Sequence, residues 1–361
     1  MSELQEFKCP NCESSITFDS NLQKMKCPYC DAEFAVASLR SYLNDSQEPK
    51  QDDMNWGNDS GTWQEDELSG LRAYVCHSCG GEILTGEHTV ATSCPFCDNP
   101  VVMKELVAGD WRPAAVIPFI LDKEAAKTAL REHYGGKRFL PKAFKNENHI
   151  DEIQGIYVPF WFFDADANTS ITYHTTRDEC WSDSTYHYTR TKHYRVIRKG
   201  TVRFRNVPVD GSSKLDDRLM ESIEPFRMEG AVNFETAYLA GYLADKYDVN
   251  REYTRVRANA RIKTSALKSL RSDLYGYTTS EEVSAVVQME NSRFRYVLCP
   301  VWLLNTTWRE KKYTFAMNGQ TGKLAGDLPE DRISKLLMFL CAFGIAGIAC
   351  FALCCLLWLM W

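Results

Sequence analysis

The sequence predicts an α+β protein with two four-cysteine zinc ribbons, an antiparallel-sheet α+β domain and one C-terminal transmembrane helix. Three observations predict this class: two matched sets of Cys-x-x-Cys pairs, strand and helix patterns through the middle of the chain, and an uncharged apolar run at its end. The predicted boundaries are 1–37 for the first zinc ribbon, 38–72 for an acidic flexible linker, 73–104 for the second zinc ribbon, 105–331 for the α+β domain and 332–361 for the transmembrane helix.

Eight of the 14 cysteines form two sets with identical spacing. Two Cys-x-x-Cys pairs separated by fourteen residues make up each set, and the second set repeats the first at an offset of 67: Cys9, Cys12, Cys27 and Cys30, then Cys76, Cys79, Cys94 and Cys97. Four thiolates at this spacing predict a tetrahedral metal site, so we expect two structural zinc ions. Because four thiolates leave no open position, the sites favour folding and binding over catalysis. Rubredoxin-like iron sites and free or disulfide-paired cysteines are the alternatives.

The net charge of −6 is concentrated in one segment. Residues 44–68 hold eight acidic residues and one lysine, so the overall acidity says little about partners. Few aliphatic residues occur there, which predicts a self-repelling linker. Trp56 and Trp63 are unusual in such a segment, and chance, packing on a neighbouring domain or a short docking motif are the interpretations.

The α+β domain shows alternating strand and helix patterns. Strands are predicted at 116–121, 156–164, 237–243, 283–289, 294–307 and 311–317, a β-rich stretch at 171–209, and helices at 122–134, 214–222 and 250–271. Tyr253, Val256, Ala260, Leu267 and Leu270 fall on one face of the last helix. Residues 158–164 resemble residues 299–305, which indicates either two related halves around one antiparallel sheet or two buried strands of similar composition.

No catalytic motif is present in the chain. It lacks a phosphate-binding loop, a Gly-x-Ser-x-Gly elbow and a His-Glu-x-x-His motif. His174, Cys180, His187 and His193 lie in one β-rich stretch, but their spacing defines no site. We therefore predict that the protein is not an enzyme and has no catalytic residues.

Two basic stretches, 190–205 and 250–271, are candidates for binding phosphate. Their candidate residues for nucleic acid or anionic headgroups are Arg190, Lys192, Arg195, Arg198, Arg251 and Arg255. A solvated charged face is the alternative interpretation.

The last 26 residues, 336–361, contain no charge and no proline. A helix of this length spans about 39 Å against a hydrocarbon core of roughly 30 Å. Arg332 and Lys335 precede it, which predicts a tail-anchored, single-pass protein of the cell membrane with its N-terminal domains in the cytoplasm. A strip of small residues at Ala342, Ala346 and Cys350 indicates either homo-oligomers through this helix or only the usual abundance of small residues in membrane helices.

The whole chain except the linker resembles a family of bacterial proteins of the YdjG type. The matching segments are the two cysteine sets and residues 148–153, 157–161, 208–213, 300–305 and 318–323. The resemblance implies tandem zinc ribbons, a soluble domain, a C-terminal membrane span and no catalytic residues. It also implies a membrane platform that works with an SPFH-like partner and with PspA-like phage-shock proteins of envelope stress. Members are often labelled TFIIB-type zinc-ribbon, primosomal or helicase proteins.

Two functions remain as hypotheses. The first is a membrane-anchored, cytosol-facing zinc-ribbon scaffold or adaptor that binds partner proteins, in envelope stress by resemblance. The alternative is a nucleic-acid-binding zinc-ribbon protein, associated with replication and tethered to the membrane. Because no phosphate-binding loop is present, the second function would operate without a helicase motor.

Overall fold

The computed structural model describes residues 7–45, 51–57, 61–63, 71–87, 89–104, 111–135, 137, 139–141, 144, 150–249, 251–271 and 274–359. The chain divides into two compact units. The first unit comprises Met1–Asp53, Thr169–Lys199 and Ser272–Gln288, and the second comprises Met54–Asn168, Gly200–Arg271 and Met289–Trp361.

Most of the described secondary structure is β. The strands are β1 (Thr17–Asp19), β2 (Lys24–Lys26), β3 (Glu33–Phe34), β4 (Gly61–Thr62), β5 (Leu71–Val75), β6 (Glu82–Gly86), β7 (Val102–Lys104), β8 (Trp111–Arg112), β9 (Ala115–Val116), β10 (Gln154–Ser182), β11 (His187–Asp210), β12 (Val232–Asn233), β13 (Leu243–Asp245), β14 (Thr279–Trp308), β15 (Lys311–Asn318) and β16 (Leu324–Gly326). The α-helices are α1 (Val36–Asp45), α2 (Lys123–Gly135), α3 (Asp217–Ser222), α4 (Arg251–Leu270) and α5 (Arg332–Leu359).

The first unit contains a small antiparallel sheet, β1-β2-β3. Phe18 pairs with Met25, and Met25 pairs with Phe34 on the other side. Its buried core is small and consists of Cys9, Ile16, Met25, Cys27 and Leu39. The end of β10, the start of β11 and the start of β14 belong to the same unit.

A mixed sheet of eleven strands dominates the structure. Its order is β12-β9-β14-β10-β13-β6-β5-β7, with β11 on β10, β15 on β14 and β16 on β15. Parallel pairs occur among the described strands, with Ile156 beside Leu243 and Val297 beside Ala115. The predicted antiparallel sheet is therefore wrong. The contacts of Thr176 with Thr279 and of Asp166 with Asn291 show that β10 and β14 run antiparallel. Each short strand therefore runs opposite to the long strand that follows it in the chain.

The strands beside the second cysteine set belong to this large sheet. β5, β6 and β7 pair with one another, and β6 pairs with β13 through Leu84 and Ala244. The predicted fold class is corrected accordingly, because the protein is mostly one large mixed sheet with few helices.

The hydrogen bonds around the two long strands repeat. Gly211 N donates to Pro159 O (2.7 Å), and Gly319 N donates to Pro300 O (2.8 Å). Pro159 lies in segment 158–164, and Pro300 is the equivalent residue of the similar segment 299–305. A glycine is needed at position 319, because a Cβ there would lie 2.6 Å from the Phe119 ring.

The short strands of the two halves are exchanged. β9 precedes α2 and β10 but pairs with β14, whereas β13 precedes α4 and β14 but pairs with β10. The residues that follow each short strand also form hydrogen bonds with the other half of the domain. Gly319 O accepts from Leu121 N (2.9 Å), and Gly211 O accepts from Val249 N (3.1 Å).

The helices partly follow the sequence patterns. Asp122 caps α2, since its Oδ1 accepts from Ala125 N (2.8 Å). On α4, Leu267 of the predicted face is buried, but Tyr253 and Val256 are exposed. The other buried positions are Thr254, Ala258, Ile262 and Ala266. Small side chains on that face let the helix lie close to the sheet. The strand predicted at 237–243 is wrong, because Thr236–Leu239 is a 3-10 turn and Gly241 has a φ of 83° before β13.

Two tryptophans of the predicted linker pack on the second unit. Trp56 Nε1 donates to Asn259 Oδ1 (2.8 Å), and its ring lies 4.8 Å from that of Phe163. Trp63 packs edge-on against Phe234, with ring centroids 5.7 Å apart. Of the three interpretations of these residues, the geometry supports packing.

The C-terminal helix corrects the membrane prediction. A span requires roughly 20 consecutive apolar residues. Among the described side chains, which on α5 extend from Lys335 to Phe351, no helix is long and apolar enough to cross a membrane. The predicted transmembrane helix over 332–361, the tail-anchored topology and the single-pass location in the cell membrane are corrected by this finding.

Candidate metal centres

Four tight turns with one hydrogen-bond pattern form the two cysteine clusters. In each turn the first cysteine donates its N–H to the carbonyl five residues on, and its own carbonyl accepts from the amide four residues on. With the N–H donor named first and the carbonyl acceptor second, the N···O distances fall into four sets. They are Cys9–Ser14 (2.7 Å) and Glu13–Cys9 (2.8 Å); Cys27–Ala32 (2.9 Å) and Asp31–Cys27 (3.0 Å); Cys76–Gly81 (2.9 Å) and Gly80–Cys76 (2.8 Å); and Cys94–Asn99 (2.8 Å) and Asp98–Cys94 (2.8 Å). The fourth residue after each first cysteine has a positive φ, between 54° and 71°. Each turn therefore directs two sulfurs to one point.

The four sulfurs of each set converge. All Sγ atoms within a cluster lie within 4.8 Å of one another, and no other group of three or more His, Cys, Asp or Glu ligands occurs among the described residues. The closest Sγ separations are Cys9–Cys30 3.6 Å, Cys12–Cys27 3.5 Å, Cys76–Cys97 3.4 Å and Cys79–Cys94 3.6 Å. These distances exclude disulfides, whose sulfurs are about 2.05 Å apart. They are close to the roughly 3.8 Å expected around a tetrahedral ion with bonds of about 2.3 Å. Either cluster could therefore hold a metal ion.

The electrostatics of the clusters favour a cation. In the first cluster the Ser14 hydroxyl lies 3.2 Å from Cys27 Sγ and lowers the pKa of that thiol to about 6. In the second, burial works against ionisation of Cys97, but the hydrogen bond from Asn99 contributes to lowering its pKa to about 6. Burial raises the pKa of the neighbouring Cys94 thiol. A bound cation would stabilise all four thiolates together.

The second cluster is built into the core of the large sheet. Cys76 and Cys94 are buried in the same apolar core as Phe160 and Phe162. Phe96, in the turn between Cys94 and Cys97, is only 6% exposed. Two side chains of the β14–β15 hairpin hold the backbone of this turn: Asn305 Nδ2 donates to Pro95 O (2.5 Å), and Lys312 Nζ donates to Phe96 O.

The first cluster presents the equivalent turn to solvent. Tyr29 occupies the position of Phe96, 67 residues earlier, and is 81% exposed. Phe18 and Leu22 on the adjoining β1–β2 hairpin are exposed as well. Three apolar side chains therefore remain uncovered on the first cluster.

The candidate phosphate-binding residues fall in both units. Arg190, Lys192, Arg195 and Arg198 belong to the first unit, and Arg251 and Arg255 belong to the second. Arg190 and Lys192 both pair with Glu179, and Arg190 Nη2 lies 2.8 Å from its carboxylate. The Arg255 guanidinium lies 5.4 Å from the centre of the Phe294 ring. The side chain of Arg251 lies outside the described residues.

The histidines and cysteine of the β-rich stretch separate into pairs. His193 Nδ1 lies 3.3 Å from His174 Nε2, and His187 Nδ1 contacts Ser182 Oγ (2.5 Å). Cys180 Sγ lies 3.6 Å from Thr189 Oγ1. The stretch thus brings together two histidines, and its cysteine contacts a threonine.

Two buried carboxyl groups were missed from the sequence. Burial raises the pKa of Asp210 to about 7, although Arg257 Nη1 lies 3.0 Å from it. Burial also raises the pKa of Asp245 well above its usual value, against the hydrogen bond from Ser212. Asp210 lies in a Pro-Val-Asp-Gly turn, which predicts an exposed carboxylate rather than a buried one.

The chain is 33% identical to the uncharacterized protein YdjG of Bacillus subtilis (strain 168) over 341 residues, which cover 94% of each chain. No family model matches the chain. No solved structure matches it either.

Proposed function

Since this chain belongs to the YdjG family, whose B. subtilis member carries no activity in its name, we propose its function from the geometry of its clusters. The protein is a partner-binding adaptor, and each cysteine cluster holds one structural zinc ion. The second cluster stabilises the core of the large sheet, whereas the first presents a binding surface to another protein.

Zinc suits both clusters because four converging thiolates match its tetrahedral, closed structural sites. Two observations support this choice. The pKa is lowered for Cys12 and Cys27 in the first cluster and for Cys97 in the second, and four thiolates leave neither cluster an open position for a reacting ligand. Rubredoxin-like iron is the competing metal, and its visible absorption distinguishes it from colourless zinc.

The single observation that carries the adaptor function is the contrast between Tyr29 and Phe96. The turns have the same sequence pattern and the same backbone bonds, yet one aromatic ring is 81% exposed and the other 6%. In the second cluster the chain itself supplies the apolar pocket. We infer that a partner protein supplies it for Tyr29, since exposed aromatic anchors often dominate protein interfaces.

The resemblance in sequence proposes which partners to try. An SPFH-like protein and a PspA-like envelope-stress protein are the two classes that it implies. Both belong in the binding assay as purified candidates.

Nucleic-acid binding is the second candidate, and the end of the β10–β11 hairpin favours it. The Trp181 and Tyr188 rings stack with centroids 5.5 Å apart, and the Arg190 guanidinium lies 5.5 Å from the Trp181 ring. Exposed aromatic rings beside basic side chains are typical of surfaces that stack single-stranded bases.

The adaptor function is tested by a pull-down, in which the purified full chain and two variants are used to recover binding proteins. Tyr29→Ser removes the exposed ring of the first cluster, and Val90→Ser is the matched control, because Val90 is an exposed apolar residue (62%) in the second unit. We expect wild type and Val90→Ser to bind the same protein, either candidate or another identified by mass spectrometry, and Tyr29→Ser to lose it.

All three proteins should contain two zinc ions, which shows that the clusters are intact. Equal recovery with Tyr29→Ser would contradict the adaptor function at this surface. Binding of a single-stranded oligonucleotide that falls steeply with salt and is lost in Trp181→Ala would support the second candidate instead.

A further inference from the structure

A pair of histidines lies in the first unit, apart from the two cysteine clusters. His174 on β10 and His193 on β11 approach so that Nε2 of the first is 3.3 Å from Nδ1 of the second. Their ring centroids are 5.3 Å apart, and the ring planes differ by 13°. The ring planes are thus nearly parallel, and the two ring nitrogens are in close contact.

This geometry matches two imidazoles that share one metal ion. Two nitrogens about 2.05 Å from a tetrahedral zinc ion lie roughly 3.3 Å apart. The observed separation of the two nitrogens, 3.3 Å, agrees with this value. A third or fourth ligand is not required for the agreement.

The surroundings leave space for the remaining ligands. Both histidines are exposed and line a cavity of about 1330 Å³ within the first unit. No third His, Cys, Asp or Glu atom joins the pair within the described part of the chain. An ion held here would therefore have two protein ligands and two positions open to water or to a molecule in the cavity.

We propose that His174 and His193 form a third metal site, which binds a divalent transition ion such as Zn²⁺ or Ni²⁺ through two imidazole nitrogens. Imidazole suits this group of ions. With two ligands instead of four, the site binds more weakly than the cysteine clusters and exchanges its ion. A metal ion in this site has open coordination positions, whereas an ion in either cysteine cluster has none.

The competing explanation is a direct hydrogen bond, in which one imidazole N–H donates to the other ring nitrogen. A hydrogen-bonded pair needs no metal and would keep its contact in metal-free buffer. The two explanations differ in what a titration with metal measures.

The test is a titration of the full chain with Ni²⁺ after both cysteine clusters have been loaded with zinc. Isothermal titration calorimetry should show one Ni²⁺ bound per chain in the wild type. The binding should be lost in His174→Gln and in His193→Gln. His187→Gln is the matched control, because His187 is an exposed histidine of the same hairpin that contacts Ser182, and it should bind like wild type.

Each variant should keep two zinc ions and the melting temperature of the wild type, so that lost binding reports the site and not the fold. Ni²⁺ should also broaden the ring signals of His174 and His193 selectively in the wild-type NMR spectrum. No Ni²⁺ bound to the wild type, or equal binding in His174→Gln, would overturn the proposal.

Discussion

The two cysteine clusters have the same local chemistry and opposite surroundings. Their turns share spacing, backbone hydrogen bonds and sulfur separations. The second cluster lies in the core of the large sheet, with Asn305 and Lys312 bound to its last turn. The first has a core of its own made of few residues and leaves Tyr29 uncovered. The comparison teaches that one metal-binding motif can serve as a structural centre in one place and as a presented surface in another.

The largest expected difference comes from removing one metal ligand from each cluster. Structural zinc contributes about 10–16 kcal/mol of apparent binding energy in small peptides, as much as the whole stability of many domains. Cys94→Ala should abolish the main thermal transition, because Cys94 is part of the large core. Cys27→Ala should leave that transition in place.

Calorimetry and zinc analysis check this pair of variants. Cys27→Ala should retain one zinc ion per chain and a main transition like that of wild type. Loss of the main transition in Cys27→Ala would show that the clusters are not energetically separate.

Removing the two equivalent aromatic rings should give the next largest difference. Phe96→Ala should cost about 3–5 kcal/mol, the usual range for a buried phenylalanine. Tyr29→Ala should change the free energy of unfolding by no more than about 0.5 kcal/mol, as for other exposed residues. Urea denaturation measures both, and comparable costs would contradict the contrast.

Ionisation should also distinguish the two regions. Buried carboxyl groups occur in the second unit at Asp164, Asp210 and Asp245, whereas the buried polar residues described in the first unit are Thr169 and Thr175. The folded-state pKa of Asp210 is raised from 3.8 to about 7, so the folded chain binds the proton more tightly than the unfolded chain. Its contribution to stability is therefore present below about pH 4 and is lost as the pH rises to about 7.

The variant Asp210→Asn tests this dependence of the free energy of unfolding on pH. The wild type should lose up to about 1.4 kcal/mol per pH unit relative to the variant between pH 4 and pH 7. Arg257 keeps its ion pairs with Asp217 and Glu221 in the variant. Urea denaturation at several pH values provides the measurement, and parallel profiles for the two proteins would refute the assignment.

The smallest expected difference concerns the contact that holds the second cluster. Asn305→Ala removes the donor to Pro95 O and the acceptor of the Thr314 hydroxyl, and should cost about 1–2 kcal/mol at about 1 kcal/mol for each hydrogen bond. The control is Asn168→Ala on the related strand, where Asn168 accepts from the Thr201 hydroxyl at a partly exposed position. We expect a change below about 0.5 kcal/mol there. Differential scanning calorimetry would decide, and equal shifts in the two variants would remove the special role of Asn305.

The candidate metal sites could be predicted from sequence because they are local. A Cys-x-x-Cys turn depends on residues within six positions, and the repeated spacing made the two sets visible. The exposure of Tyr29 and the burial of Phe96 could not be predicted, since both follow Cys-Pro in the same pattern. That difference comes from Asn305 and Lys312, more than 200 positions further along the chain.

The sheet was harder to predict for the same physical reason. The strands were largely placed correctly, because alternation and buried runs are local patterns. Their partners are remote: Ala115 pairs with Val297, and Leu243 pairs with Ile156. The buried face of α4 was wrong because Tyr253 and Val256 are apolar yet exposed, whereas the small Ala258 meets the sheet.

The exchange of short strands between the two halves affects how the chain is made on the ribosome. β9 leaves the ribosome long before β14, the strand with which it pairs. The hydrogen bond from Leu121 N to Gly319 O can form only later still, after Gly319 has been made. The first half therefore has no completed edge of its own during synthesis, and folding of the large sheet must wait until nearly the whole chain has emerged. A nascent chain of this protein consequently exposes unpaired strand edges until β14 has been made.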